Sequence, residues 1–148
     1  MKASEIAFEN SVADDEILYR AVRNDPLLFP DDGMNGRRIS SMAFNDPARR
    51  PSVDRAALYH GGPAETRDRF EAGTGVLSLV ASDVRSITAT HGATGQTYCV
   101  DAEPVPLPDN PAHAEIFGRP PFDTDRIFDR IKQALARLSS VILEPGAK

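Results

Sequence analysis

Apolar residues recur at helical spacing between positions 123 and 138, and charged residues occupy most of the other positions in that segment. A stripe of this period is typical of a helix that packs one face on a core. Asp123 precedes the stripe and fits the N-cap position. The pattern therefore predicts an amphipathic C-terminal helix over residues 123–138. Its predicted buried face comprises Ile127, Phe128, Ile131, Ala134, Leu135 and Leu138.

Other helical segments are indicated by their end signals rather than by a long stripe. Pro63 fits a first helical position and Gly73 offers a C-terminal stop, so a helix is predicted over 63–72. Residues 82–87 fit a capped helical turn. For residues 52–59 the pattern leaves two alternatives open, a short helix or an extended piece.

Short runs that alternate in polarity, or that are apolar throughout, predict the strands. Clusters of turn-forming residues separate these runs, and residues 88–95 are predicted to form a loop. Residues 103–108 contain three prolines and are expected to be extended. The predicted strands are 16–22, 38–44, 75–81, 96–102 and, as a last edge strand, 140–143.

Strands interleaved irregularly with helices predict the α+β class. We expect a single domain with one mixed, mostly antiparallel sheet and flanking helices, which include the C-terminal helix 123–138. The globular domain is predicted to span 14–143. Residues 1–13 are expected to form a mobile N-terminal arm, and residues 144–148 a loose C-terminal tail.

The composition supports a folded protein and narrows its location. The chain has 148 residues, of which 41% are apolar, enough for one domain with its own core. The only cysteine, Cys99, excludes an internal disulfide and fits a reducing compartment. The sequence shows neither an apolar run of about 18 residues nor a signal peptide. We therefore expect a cytoplasmic protein that has no membrane partner.

The formal net charge of −5 argues against a protein whose whole surface binds nucleic acid. Nucleic acid is thereby disfavoured as a partner, although it is not excluded. Residues 37–55 are a local exception, because they carry five arginines and two aspartates. Arginine binds carboxylates and phosphates with a planar fork. The segment is therefore interpreted either as an anion site or as a salt-bridged surface.

Three further patterns carry little chemical signal. Residues 92–97 contain glycines and threonines but lack the spacing and the lysine of a phosphate-binding loop. Cys99, His113 and Asp109 are the residue types of a thiol dyad with an orienting acid, although a buried apolar role for Cys99 is the simpler interpretation. The three histidines are not spaced to set two metal ligands on one element, so no metal site is predicted.

The most informative stretch is 107–116, where two prolines bracket Asp109 and Asn110. Such a loop has a strongly determined conformation, and rigid loops often carry functional residues. We predict that a helical turn begins at Ala112 and presents His113 and Glu115. The alternative is a stiffened crossover in which Asn110 caps the next turn and His113 bonds to the backbone.

Four segments together are similar to a group of small, uncharacterised bacterial and phage-borne proteins of about this length. The segments are LYR (18–20), RISSMAF (38–44), SVDRA (52–56) and LPDNPAHAE (107–115). The resemblance covers residues 16–138 and implies a self-standing unit whose distinctive residues lie in polar loops. It implies no activity.

A fainter resemblance runs to the RES toxins and other ADP-ribosyltransferase-like enzymes. Those enzymes use an arginine on an early strand for the phosphates of NAD, a hydroxyl residue on a second strand and a later glutamate that steadies the ribose. The resemblance implies these roles for Arg20, for Ser40 or Ser41, and for Glu115. The chain departs from the RES pattern, because it has no tryptophan, no Glu-x-Glu pair and no glycine-rich segment of the RES type.

Three hypotheses of function follow. The first is a domain that binds a polar or anionic small molecule or partner; the resemblance adds a multi-protein or mobile-element locus of the defence or toxin–antitoxin type. The second is an NAD-using enzyme, the one case in which a cofactor is predicted. The third is an antitoxin or immunity-type protein whose acidic arm binds a protein partner. The predicted catalytic residues are Arg20, Ser41, His113 and Glu115. The predicted ligand-binding residues are Tyr19, Arg37, Arg38, Ser40, Asp54, Arg55, Asp109 and Asn110.

Overall fold

The computed structural model describes residues 11–29, 39–58 and 62–146. In this part of the chain, seven strands form one sheet. They are β1 (Ile17–Val22), β2 (Ser52–Arg55), β3 (Gly75–Val80), β4 (Thr88–Thr90), β5 (Thr97–Pro104), β6 (His113–Arg119) and β7 (Ser140–Leu143). Their order across the sheet is β4-β5-β6-β2-β1-β3-β7, and every pairing is antiparallel.

Helices occur between the strands along the chain, which confirms the predicted α+β class. The described α-helices are α1 (Pro63–Arg67), α2 (Ala81–Arg85) and α3 (Asp125–Leu138). Two short 3-10 helices span Ser41–Phe44 and Ala56–Leu58. The open alternative at 52–59 is therefore resolved as a strand followed by a 3-10 turn, as far as residue 58.

One face of the sheet packs against α3 and forms the core. Leu18 and Val22 of β1 and Leu77 and Leu79 of β3 are buried in the same apolar cluster as the helix. Leu138, the last residue of α3, is exposed rather than buried as predicted. The buried residues of the helix are Ile127, Phe128, Ile131, Leu135 and Ala136.

The N-cap of α3 is Thr124 rather than the predicted Asp123. The Thr124 hydroxyl accepts a hydrogen bond from the backbone N–H of Ile127 at 3.2 Å. Asp123 instead accepts a hydrogen bond from the hydroxyl of Tyr98 at 2.7 Å. Tyr98 lies on β5, so a contact between distant parts of the chain decides which of two adjacent cap-forming residues caps the helix.

The second face of the sheet carries polar side chains at its centre. Tyr19 is the cross-strand partner of Asp54, and Asp54 is the partner of His113. Residues in register point to the same face of a sheet, so these three side chains form a row. Helix α1 and the connection 105–112 border the row, and a polar hollow remains between them.

The strand predicted over 38–44 was wrong where the structure describes it. Residues Ser41–Phe44 form a 3-10 helix, and the side chain of Ser40 accepts the backbone N–H of Met42 at 3.1 Å. Serine at such a position offers the chain a turn instead of a ladder. Phe44 is thereby fully buried against the core, which the alternating pattern of the segment did not indicate.

Two other segments predicted as turns are strands. Thr88–Thr90 pairs with β5 inside the predicted loop 88–95, and only residues after it form the hairpin turn. The segment after Ala112 is the long strand β6 rather than a helical turn, because Ala114 and Ile116 are fully buried on the core face between two neighbouring strands. The helix predicted over 63–72 ends earlier, at Arg67.

The described ends of the chain contact the sheet. Val12 is buried in the core cluster, and Ser11 accepts a hydrogen bond from Arg55 through its carbonyl oxygen at 2.7 Å. Residues 11–13 of the predicted arm are therefore held in place, while residues 1–10 lie outside the described part. At the other end, the N–H of Gly146 donates to the carbonyl of Gly73 at 2.6 Å.

Candidate functional site

The polar face of the sheet opens into a cavity of about 450 Å³, which we call the cleft. It lies among β1, β2, α1 and the connection between β5 and β6. Segments that are far apart in the sequence thus converge on one hollow. Six of the residues predicted for a site line it: Tyr19, Arg20, Asp54, Asp109, Asn110 and His113.

Asp54 is the organising residue of the cleft and is only 5% exposed. One of its carboxylate oxygens accepts a hydrogen bond from Thr66 Oγ1, and the other accepts one from Asn110 Nδ2, each at 2.8 Å. Thr66 belongs to α1, and Asn110 belongs to the β5–β6 connection. Asp54 therefore ties both borders of the cleft to the sheet.

His113 is half-buried beside Asp54, and its contacts define its tautomer. Its Nδ1 lies 2.8 Å from the carbonyl oxygen of Val105. Because a carbonyl only accepts, Nδ1 carries the hydrogen, and Nε2 of the neutral ring is an acceptor. The structure thus agrees with the alternative in which His113 bonds to the backbone, although Asn110 binds Asp54 rather than capping a turn.

Arg20 joins the cleft to the neighbouring 3-10 helix. Its guanidinium donates to the carbonyl oxygens of Ala43, Asn45 and Ser52 at 3.1, 3.2 and 2.8 Å. Burial lowers the pKa of Arg20, and attraction to Asp46 opposes that effect. These contacts with described residues use three of its five N–H groups.

The rim of the cleft combines positive charge with exposed apolar surface. Arg69 donates to the carbonyl of Asp109 at 2.8 Å and adds a second guanidinium to the lining. Phe70, which is 57% exposed, and Leu107 lie on the same rim. Exposed apolar side chains around a polar hollow are typical of a site that accepts a ligand with an apolar part.

A second cavity of about 400 Å³ adjoins the cleft. The two share Arg20, Ala21 and Phe70, so an arginine and an exposed aromatic ring stand where they meet. The lining of the second cavity includes the apolar Leu28 and Met42 beside the charged Arg23 and Glu71. The two cavities form one groove that is lined by both polar and apolar side chains.

Glu115 does not line the cleft, although its strand does. It accepts a hydrogen bond from Arg50 Nε at 2.6 Å, and the same guanidinium also pairs with Glu103. Burial by itself lowers the pKa of Arg50, but hydrogen bonds to Glu115 and Glu103 outweigh it and raise that pKa. The guanidinium lies 4.8 Å from the centre of the Phe117 ring.

The remaining predicted residues lie apart from the cleft or outside the description. Ser40 caps the 3-10 helix that contains Ser41, and neither lines the cleft. Arg55 is fully buried and binds Glu16, so it faces the core instead of a ligand. Arg37 and Arg38 lie outside the described residues.

The basic segment 37–55 is a paired segment wherever it is described. Arg49 binds Asp125 at 2.8 Å, Arg50 binds two glutamates, and Arg55 binds Glu16. Each of these three arginines thus has a carboxylate partner from another element. The salt-bridged interpretation applies to them, and none of the three lines the cleft.

Several residues that line the cleft had no place in the sequence-based prediction. Ser52 lies two positions before Asp54 on a strand, so the strand period alone would have placed it on the same face. Thr66, Arg69 and Phe70 carried no comparable signal. Their role depends on where α1 docks, which the contact between Thr66 and Asp54 determines.

Other chemistry suggested by residue type is not assembled. Cys99 is an exposed free thiol on β5 and does not line the cleft, where Asp109 and His113 lie. Among the described residues, no group of three or more His, Cys, Asp or Glu side chains is arranged to hold a metal ion. No helix within the described ranges has the length and apolar character that crossing a membrane requires.

Comparison with known proteins adds no family to this description. No protein-family model, no curated protein and no solved structure matches the chain. The geometry of the cleft is therefore the basis on which its function is inferred.

Proposed function

We propose that the protein binds a small phosphorylated molecule of the nucleotide class in the cleft and the cavity beside it. The proposal rests on one observation: Arg20 and the exposed Phe70 line both cavities, at the place where the two meet. An arginine fork suits a phosphate group. An exposed aromatic ring suits a flat base, since base–aromatic stacking contributes about 1–3 kcal/mol.

The polar side chains of the cleft support the same ligand class. The Nε2 atom of neutral His113 is an acceptor, and Asp54 retains lone pairs beyond its two hydrogen bonds. Both accept hydrogen bonds from hydroxyl groups such as those of a ribose. A nucleotide carries all three matching groups in one molecule. Its hydroxyl groups can donate to the acceptors of the cleft, its phosphate can bind Arg20, and its flat ring can stack on Phe70.

Thermal unfolding with separate probes tests this proposal. We expect stabilisation by AMP, ADP or NAD and none by adenosine or ribose alone. A ligand at 100 times its Kd adds about 2.7 kcal/mol to the free energy of unfolding. Phe70→Ala should weaken binding about tenfold, which corresponds to about 1.4 kcal/mol.

Ile142→Ala is the matched control, because Ile142 is also an exposed apolar residue but lies on β7, outside both cavities. It should bind the probes as the unsubstituted protein does. Failure of every nucleotide to stabilise the protein, or equal weakening by both substitutions, would contradict the proposal.

A second candidate, an enzyme that cleaves NAD, is supported by the order of three neighbouring strands. Arg20 on β1 donates to the carbonyl of Ser52 on β2, and Ser52 is the cross-strand partner of Glu115 on β6. An early arginine thus contacts the backbone of the strand that carries Ser52, and Ser52 lies opposite a later glutamate. Ser52 would take the role that the resemblance suggested for Ser40 or Ser41.

In this reaction the bond between nicotinamide and C1′ of the ribose breaks, and nicotinamide leaves with the bonding electrons. Water or an acceptor group then forms the new bond to C1′ and loses a proton. A carboxylate such as Glu115 stabilises the positive charge that develops on the ribose. Arg50, which binds Glu115, would hold that carboxylate in position.

Release of nicotinamide from NAD measures this activity directly. We expect Glu115→Gln to slow release by about a hundredfold, the scale of losing one electrostatic contact in a transition state. Glu103→Gln is the matched control, since Glu103 binds the same guanidinium and lies opposite Glu115 in the sheet. No release, or equal loss in both variants, would eliminate the catalytic role of Glu115.

A further inference from the structure

A smaller cavity of about 250 Å³ lies between the turn that follows β4 and the start of α3. We call it the basic notch. It shares no lining residue with the cleft or with the cavity beside the cleft. Its lining is His91, Gly92, Ala93, Arg126, Ile127 and Arg130.

Two arginines of the basic notch stand one helical turn apart and have no carboxylate partner among the described residues. Arg126 and Arg130 are exposed and occupy positions i and i+4 of α3, and neither forms an ion pair with any residue in the described ranges. Arg130 donates one hydrogen bond, to the carbonyl of Thr90 at 3.0 Å. Like charges at this spacing destabilise a helix by about 0.2–0.5 kcal/mol, so an anion between them would relieve repulsion.

His91 presents a third donor to the same space. Its Nδ1 accepts the backbone N–H groups of Ala93 and Thr94 at 3.2 and 3.3 Å. The hydrogen of the neutral ring therefore resides on Nε2, which can only donate. The turn that holds the ring is closed by a bond from the N–H of Gly95 to the carbonyl of His91 at 2.8 Å.

The acidic residues near the basic notch are bound elsewhere. Asp123 accepts the hydroxyl of Tyr98, Asp125 pairs with Arg49, and Asp129 pairs with Lys132. The notch also lies at the first turns of a 14-residue helix, whose N-terminal end carries partial positive charge. This end of the helix favours an anion, although the chain as a whole is acidic.

We propose that the basic notch is a second binding site and that its ligand is a phosphate-type oxyanion, either free phosphate or the phosphate group of a small monoester. The forks of Arg126 and Arg130 would bind two edges of the anion, and the Nε2–H of His91 a third oxygen. The site is independent of the ligand that occupies the cleft.

Titration of the ¹⁵N-labelled protein at constant ionic strength tests the proposal, with inorganic phosphate and glycerol 3-phosphate as separate probes. We expect saturable amide shifts at Gly92, Ala93 and Ile127. Tighter binding of glycerol 3-phosphate would identify a monoester as the source, and equal binding would identify free phosphate. Shifts that do not saturate, or that appear only outside the notch, would refute the site.

Arg126→Gln should weaken phosphate binding about tenfold, the loss expected for one charge-assisted contact. Arg137→Gln is the matched control, because Arg137 is an exposed arginine in the last turn of the same helix, outside the basic notch. It should bind phosphate unchanged, as should Phe70→Ala, which alters the cleft and the cavity beside it but not the basic notch. Equal weakening by Arg126→Gln and Arg137→Gln would mean that phosphate binding depends only on the net charge of the protein, which would refute the proposal.

Discussion

Glu16→Gln is expected to lower the free energy of unfolding by about 3–5 kcal/mol, because it removes one charge of a buried, hydrogen-bonded ion pair. A small domain has about 5–15 kcal/mol of stability, so this one substitution would remove a large share of it. Urea denaturation of the two proteins measures the difference.

The geometry of the pair explains the size of this effect. Arg55 Nε and Nη2 donate to the two carboxylate oxygens of Glu16 at 2.9 and 2.5 Å, and the side chains are only 1% and 4% exposed. Arg55 is the register partner of Leu18, on the core face of the sheet. Water cannot replace a missing carboxylate there.

Arg23→Gln provides the comparison for a surface pair. Arg23 is 74% exposed and lies 3.4 Å from Asp25, so its loss should change stability by no more than about 1 kcal/mol. Replacing Glu16 and Arg55 together by methionine should recover much of the stability that Glu16→Gln loses, because both charges of the buried pair are removed together. Equal unfolding midpoints for Glu16→Gln and Arg23→Gln would show that the pair contributes little.

Asp54→Ala is expected to cost about 3 kcal/mol or more and to loosen both borders of the cleft. Hydrogen bonds to a charged group contribute about 1.5–3 kcal/mol each, and this substitution removes two. Hydrogen exchange should accelerate in α1 and in the connection 105–112, the two segments that Asp54 ties to the sheet.

Asp54→Asn separates hydrogen bonding from charge. The new amide oxygen can accept from Asn110, and the new amide nitrogen can donate to the Thr66 hydroxyl, which also accepts. We therefore expect a smaller loss of stability and near-normal exchange in α1. Equal destabilisation by both substitutions would mean that the charge of Asp54, and not its hydrogen bonds, holds the cleft together.

The elements that the sequence predicted well are those whose pattern is local. The stripe of α3 and the apolar or alternating runs of β1, β3, β5 and β7 each contain their own periodicity, so neighbours along the chain suffice to identify them. The prediction of a strand over 38–44 failed because the same alternation of polar and apolar residues also occurs in irregular connections. The bond from Met42 to Ser40 decides between the two.

The prediction for the residues of β6, a helical turn that begins at Ala112, failed for a different reason. Its residues follow a proline-rich connection that is compatible with a helical start, and only pairing with β2 and β5 on both sides makes the extended form favourable. Strand preference depends more on neighbours than helix preference does. For the same reason the sequence did not predict β4, which is three residues long and pairs with β5 alone.

For the candidate site, residue type alone predicted some of the residues that line the cleft. Polar residues in stiff loops and on strands pointed to a set of side chains that do line one cleft, namely Tyr19, Arg20, Asp54, Asp109, Asn110 and His113. Residue type did not separate Arg55, which is equally polar but points to the core and binds Glu16. Position on one face or the other of β2 makes that difference.

The amino-acid sequence alone determined the α+β class, the amphipathic helix and the polar character of the segments around the cleft, because each depends on residues close together in the chain. Tertiary structure decided which of those polar residues meet. Strand register sets Tyr19, Asp54 and His113 in one row, and the two hydrogen bonds of Asp54 dock α1 and the β5–β6 connection beside them. Register and docking are properties of pairs of distant segments, and no local pattern encodes them.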